Sequence, residues 1–424
     1  MTRRVLKWFL KAALVACALS VSIASETRQT PTQPSTPENV ALYAAVGGEL
    51  THYEVVVGQA TLIKRDSVRL PDAVQYAWPH PSGRHLYVVW SGDEGKDKAL
   101  HGVSALDVEP GSGALRPNGQ PVPLKNRPIN VTVDRDGTHV LIVSNDPPGV
   151  TVYEIAPNGG IGAEVKQPAN LDVGIYTHQV RVEPSNQTVI LVARGNYEGR
   201  HEPGAIKIFS YKDGVLTNRT SIAPGSSVKF NPRHLDFDKS GRWVFVTLEA
   251  QDQLQVYRMA ENGTLNNAPL FTKDTLADPS DVPIEHRQVT GTVHVHPNGQ
   301  VVYAANRATA TMEFQGKQIW AGGEDSIAVF QIKQTTGEPT LVQNADTHGK
   351  IPRTFALDAS GRILVAANQK QRLVRNGDTL AVVPESLAVF RVRADGKLDF
   401  VRTYDVDQTQ HGDLYWMGIM SVPR

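Results

Sequence analysis

The sequence predicts an all-β fold, a seven-bladed β-propeller whose closing blade is shared by the two termini. The first observation behind this is a recurring hairpin. In residues 231–249, NPRHLDFDKSGRWVFVTLE, apolar Leu235 and Phe237 alternate with polar residues, a turn falls at Asp238 to Gly241, and Trp243 to Thr247 returns as a second strand. The same unit recurs in YAWPHPSGRHLYVVWS, INVTVDRDGTHVLIVSN, HQVRVEPSNQTVILVAR, GTVHVHPNGQVVYAANR and RTFALDASGRILVAANQ. The second is spacing. The turn markers Gly83, Gly137, Asn186, Gly241, Gly299 and Gly361 fall roughly 50 to 60 residues apart, which suits a propeller blade with long outer loops better than a helical solenoid. The third is complementarity of the ends: residues 413–420, DLYWMGIM, form a strand with no partner hairpin, while ALYAAV, HYEVVV and TLIKRDSVRL after Val40 lack an innermost strand. Joining them makes a seventh blade and removes two open sheet edges.

Each core hairpin is followed by a third strand ending in a bulky residue (GVTVYEI, GAIKIFSY, QLQVYRM, DSIAVFQI, ESLAVFRV), then by a turn and a short fourth strand such as GKLDFVRTYDV. Two long insertions, 308–324 and 370–385, lie between second and third strands and are expected as loops on one face of the disk, placed to cover a central site in part. Propellers grow by adding blades around an axis, so 424 residues still fit one large domain, expected over 39–424.

The termini and composition bound the setting. Arg3, Arg4 and Lys7 precede an apolar stretch from Ala12 to Ile23 that is short for a membrane span, and Ser22-Ile23-Ala24 is a small-x-small cleavage site. Residues 1–25 are therefore expected as a signal peptide, with a periplasmic or secreted product and no membrane span after cleavage. Leu14-Val15-Ala16-Cys17 admits the competing reading of a lipid anchor at Cys17. Residues 26–38, rich in Pro, Thr, Gln and Ser, read as a linker. With 43 basic against 43 acidic residues, no global field favours nucleic acid. The single cysteine, Cys17, lies in the signal region, so the mature domain has neither a disulfide nor a thiol nucleophile.

Counting eight residues back and eight forward from each turn marker reaches the open end of each hairpin, where side chains from all repeats share one face. The pairs are Gln75 and Ser91, Ile129 and Asn145, His178 and Arg194, Arg233 and Glu249, Gly291 and Arg307, and Arg353 and Gln369. A ring of four arginines, a histidine and a carboxylate around a channel mouth suits an anionic small molecule and proton transfer. The competing reading makes Arg233 and Glu249 an ion pair that closes the hairpin, and sets Arg307 and Arg353 between blades. His294 and His296 alternate on one side of a strand without a third ligand, so no metal is implied. His234 and Gln179 follow rim residues and are expected to face the neighbouring blade. The absence of a GxSxG elbow speaks against a serine nucleophile.

PRHLDFDKSGRWVFVTLE at 232–249, VHPNGQVVYAANR at 295–307, DSIAVF at 325–330 and PRTFALDASGRILVAANQ at 352–369 resemble the lactonase family of seven-bladed β-propellers, which includes bacterial 6-phosphogluconolactonases and a fungal carboxymuconate lactonising enzyme. The resemblance implies a catalytic set of His178, Arg233, Glu249 and Arg307, the residues the counting also selects, and Arg194, His294, Arg353 and Gln369 are expected as substrate contacts. It also implies a lactone hydrolase that needs no cofactor or metal and acts on an anionic or polar sugar-type lactone, with Glu249 or His178 activating water. A carboxymuconate-type cycloisomerase and a non-catalytic propeller that binds a protein or glycan are the alternatives. One departure from the family pattern is Thr292, which stands where an acidic residue is common.

Overall fold

The computed structural model describes residues 39–92, 100–196, 199–224, 229–279, 287–406 and 412–424. The expected signal peptide, the linker and Cys17 lie outside the described residues. Seven four-stranded antiparallel sheets are arranged as the blades of a propeller. Their innermost strands, in ring order, are Val74–Pro79, Pro128–Val133, Thr177–Val182, Pro232–Phe237, Gln288–Val295, Pro352–Leu357 and Leu414–Val422, here blades 1 to 7. Each adjoins the innermost strand of the next blade, and the last adjoins the first. Blade 7 is the shared one: Leu414–Val422 pairs antiparallel with Asn39–Val46, from Asn39 opposite Val422 to Val46 opposite Leu414.

The hairpins fold locally for a repeated reason. In several blades an acidic residue opens the turn and accepts backbone N–H groups: Asp238 from Trp243 at 2.6 Å and Ser240 at 3.2 Å, Asp358 from Ile363 at 2.7 Å and Arg362 at 2.8 Å, and Asp134 from Thr138 at 2.7 Å. The marker itself adopts a left-handed backbone. Gly241 has φ 70°, and a Cβ there would lie 3.1 Å from the Pro184 ring of the preceding blade. Asn186 fills the same role at φ 62°, and its side chain reaches across to Asp136.

Second strands such as Trp243–Leu248 and Thr188–Ala193 are buried throughout, because both faces of a blade pack on neighbours. They therefore read as unbroken apolar runs rather than as alternation. Tyrosines on second strands join adjacent blades by donating to glycine carbonyls: Tyr43 to Gly113 at 2.6 Å, Tyr87 to Gly159 at 2.9 Å and Tyr303 to Gly396 at 2.8 Å. Outermost strands such as Thr61–Arg69 carry exposed charges along the sheet edge, which disfavours edge-to-edge pairing.

The two insertions are not the loops the sequence leads one to expect. Each forms a two-stranded hairpin, Thr311–Phe314 with Lys317–Trp320, and Arg372–Asn376 with Thr379–Val383. The two pack together: Gln315 donates to the Asp378 carbonyl at 3.1 Å, and the Arg375 guanidinium lies 4.8 Å from the centre of the Phe314 ring. Polar residues at the Gln315-Gly316 and Gly377-Asp378 turns close strands that were hard to read because each spans only four or five residues.

Candidate active site

One irregularity is common to all seven innermost strands and builds the site. A β-bulge interrupts each pairing near its start, and the residue it leaves unpaired is Gln75, Ile129, His178, Arg233, Arg353 or Tyr415 in six of the blades. In blade 5, Gly291 and Thr292 together lie between the paired residues Thr290 and Val293. A bulge breaks the period-two alternation and redirects one side chain, which is how a strand buried on both faces can present a functional group at the channel mouth.

Glu249, at the end of the second strand of blade 4, is the centre of the cluster. Its Oε2 lies 2.6 Å from Arg194 Nη1 of blade 3, and its Oε1 lies 2.7 Å from Arg307 Nη2 of blade 5 and 2.9 Å from Arg233 Nε. Burial pushes the Glu249 carboxyl up, but Arg233, Arg194 and Arg307 outweigh it and hold the group well below the usual carboxylate range. Three blades therefore meet on one ionised carboxylate. Gly291 makes this possible: a Cβ there would stand 3.0 Å from Arg307 Nε and 3.5 Å from Arg233 Nη1. Although Arg233 and Arg307 are both buried, Arg233 Nη1 and Arg307 Nε have no hydrogen-bond acceptor in the protein. Donors left over in this way are ready for an anionic oxygen.

His178 is buried beside the cluster. Burial, followed by the charges of Arg233, Arg194, Arg353 and Arg307, lowers its pKa well below the ordinary value. Its imidazole is neutral at physiological pH, and Nδ1 has no partner. The ring centre of His234 lies 5.2 Å from that of His178, the two rings tilted by 50°, and the pKa of His234 is lowered for similar reasons, burial first and then Arg233 and His178. Two neutral imidazoles beside several guanidiniums leave the mouth with a surplus of positive charge.

The structure gathers most of the sequence-derived set. His178, Arg194, Arg233, Glu249 and Arg307 come together, and the Arg353 guanidinium lies 3.8 Å from the centre of the Tyr415 ring close by. Gln369 is buried and donates to Asp413 at 3.1 Å. His294 is not brought to the Glu249 cluster. Past the bulge and nearer the turn, it lies 3.5 Å from Asp236 and edge-on to Phe355. Arg233 and Glu249 do form the ion pair weighed above, as part of a wider node that also takes Arg194 and Arg307.

Sequence reasoning missed Tyr415, Arg127 and Asp252. Burial raises the Tyr415 phenol, but Arg353, Arg127 and Arg233 outweigh this and keep it below its usual value. Arg127, just ahead of the innermost strand of blade 2, also donates to Gln75 at 3.0 Å. Asp252 sits in a left-handed turn (φ 51°) beyond Glu249 and accepts a hydrogen bond from Thr290 at 3.1 Å. Burial, with the charges of Glu249 and Glu324, pushes its carboxyl up to about 7 against the opposing hydrogen bond of Thr290 and charge of Arg307. A raised carboxyl holds in the folded state a proton that the unfolded chain releases, so its stabilising contribution is complete below pH 3.8 and is lost as the pH rises through about 7. Asp252→Asn is expected to flatten the pH dependence of the melting temperature between pH 4 and 8. An unchanged slope in that variant would show that Asp252 is ionised throughout.

Among the described residues, no group of three or more His, Cys, Asp or Glu side chains is placed to hold a metal ion. Nor is any helix long and apolar enough to cross a membrane.

Comparison with known proteins assigns the class of propeller to which these seven blades belong, the lactonases. The family model described as Lactonase, 7-bladed beta-propeller matches residues 39–377, and the chain belongs to that family as a lactonase-like enzyme. Its relatives include the 6-phosphogluconolactonase of Bacillus subtilis (strain 168), 27% identical over 273 residues that cover 63% of this chain and 71% of that protein. The 6-phosphogluconolactonase of Formosa agariphila is 24% identical over 302 residues, covering 68% and 76%. The same fold is found in a putative 6-phosphogluconolactonase from Bacteroides uniformis, with TM-score 0.67 and 18% identity over 90% of this chain and 100% of that one. A periplasmic gluconolactonase of Pseudomonas aeruginosa shares it too, with TM-score 0.66 and 20% identity over 91% and 100%.

Proposed function

We propose that the protein hydrolyses an anionic or polar sugar-type lactone at the Glu249 cluster. The observation that carries this is the pairing of unspent N–H donors on buried Arg233 and Arg307 with a neutral histidine, His178, beside them. His178 removes a proton from water, and the hydroxide so formed attacks the lactone carbonyl. The oxyanion of the tetrahedral intermediate is stabilised by the two guanidiniums. As the intermediate collapses, the ring C–O bond breaks and the departing alkoxide takes the proton back from His178. Water is consumed, one hydroxy acid is formed, and the enzyme is regenerated. Both oxygens of Glu249 are already engaged by three arginines, whereas His178 Nδ1 has no partner, so the part of Glu249 is to fix those guanidiniums in place. Arg353, stacked on Tyr415, is positioned to hold a phosphate or carboxylate of the substrate.

The names of the relatives support lactone hydrolysis as the reaction class, and the surplus of positive charge supports an anionic or strongly polar substrate. We also propose export, with residues 1–25 removed as a signal peptide. A periplasmic structural neighbour fits this reading.

The test is a pH-stat screen of the purified mature protein against phosphorylated sugar lactones, unphosphorylated aldonolactones and muconolactones. Acid release above the spontaneous rate is expected with a sugar lactone. Folded protein that accelerates none of the three classes would overturn the hydrolase reading, and activity confined to muconolactones would replace it with the cycloisomerase.

A further inference from the structure

On the turn side of the channel, away from the arginine cluster, lies a cavity of about 230 Å³. Four consecutive innermost strands, those of blades 5, 6, 7 and 1, line it, and Tyr76, Trp78, Phe355 and Trp416 make its wall largely aromatic. None of the residues around Glu249 takes part in it. His234 separates the two regions, with its ring tilted against His178 at 5.2 Å on one side and edge-on to Tyr76 at 6.3 Å on the other.

The charged groups near this cavity already have hydrogen-bond partners. Asp236 receives Arg181 Nη2 at 3.0 Å on one oxygen, and on the other the backbone N–H of Val295 at 2.9 Å with His294 at 3.5 Å. The Asp358 carboxylate is engaged by the backbone N–H groups of Ser360, Arg362 and Ile363. Arg181 itself lies 4.4 Å from the centre of the Trp78 ring, so a cation already occupies that aromatic face. Thr292 donates to the Arg353 carbonyl at 2.9 Å. One polar atom in the wall is unspent: Thr354 Oγ1, on a side chain 6% exposed, has no hydrogen-bond partner. An apolar, aromatic-rich wall whose carboxylates are already hydrogen-bonded offers an ion no open partner, and its buried free hydroxyl suits a neutral ring compound with one polar substituent. An apolar cavity of about 150 Å³ takes up benzene, so the space here is enough for two fused rings.

We propose that this half of the channel is a second small-molecule site, which binds a neutral one- or two-ring aromatic compound carrying a hydroxyl group, its rings among Tyr76, Trp78, Phe355 and Trp416 and its hydroxyl on Thr354 Oγ1. His294, expected from the sequence among the lactone contacts, belongs to this second site.

Isothermal titration of the purified mature protein with 2-naphthol tests the proposal by binding, independently of any lactone turnover. One molecule is expected to bind per chain. Thr354→Val keeps the shape and removes one hydrogen bond, and it is expected to weaken binding about two- to tenfold. Ala359→Trp places a bulky ring at an exposed turn residue on the cavity mouth, leaves the core alone, and is expected to abolish binding. Inorganic phosphate, a ligand for guanidiniums, is expected not to compete. No heat of binding up to the solubility limit of 2-naphthol overturns the proposal, and so does binding that both variants leave unchanged or that phosphate displaces.

Discussion

His178→Ala lowers turnover on the lactone identified by the screen by about a hundred- to ten-thousand-fold, the usual contribution of a positioned general base. The Michaelis constant changes less, because the arginines that hold the substrate are left in place. The pH dependence is the more specific readout. A base acts in its deprotonated form, and burial together with four neighbouring guanidiniums keeps His178 deprotonated well below the pH at which an ordinary histidine gains its proton. The acid limb of kcat/KM therefore falls well below pH 6.5, and the rate stays flat across the range in which a solvent-exposed histidine would titrate. Near wild-type kinetics in His178→Ala would remove the residue from the mechanism. A rate that halves between pH 6 and 7 in the wild type would mean that another group, with Asp252 the first candidate, supplies the base.

The sequence disclosed the blades because their signals are local. Asp238 and Gly241 are needed for one tight turn whatever surrounds it, and the same chemistry at Asp358 and Gly361 marks the next blade but one. Counting outward from such turns brought Arg233, Glu249, Arg194 and Arg307 to a common end, because both strands of a hairpin keep step with their turn. The bulges were invisible to that counting, since an unpaired residue is defined by hydrogen bonding across the sheet and not by residue type. Tyr415 was missed for a related reason. It is the bulged residue of the blade whose hairpin is divided between the termini, so there was no turn from which to count. His294 was misplaced because its spacing in the chain does not say how far down the channel a strand has run. Asp252 looked like any turn aspartate. What distinguishes it is burial against Thr290 and the charges of Glu249 and Glu324, and of these Thr290 and Glu324 come from another blade, Glu324 from the end of an insertion.

Glu249→Gln is expected to cost the fold about 3–5 kcal/mol, the range for removing one partner of a buried ion pair. The substitution keeps the shape and some hydrogen-bonding capacity but deletes the one carboxylate among the described residues that touches Arg194, Arg233 and Arg307 together. Three guanidiniums from three blades are then left facing one another, two of them fully buried. Their mutual repulsion should loosen the junction of blades 3, 4 and 5, which the apolar packing between these blades then has to hold alone. The direction of the pKa shift adds a second signature. Because the folded state holds this carboxyl below its ordinary value of 4.5, its stabilising contribution is complete above that pH and is lost only as the pH falls through the lower folded value. Wild-type and variant stabilities should accordingly converge in strong acid and differ most at neutral pH. Urea unfolding at pH 7 and again in acid measures both effects. Equal midpoints at pH 7 would mean that the arginines repel one another less than their spacing implies, and that Glu249 could be tested for a direct part in the chemistry instead.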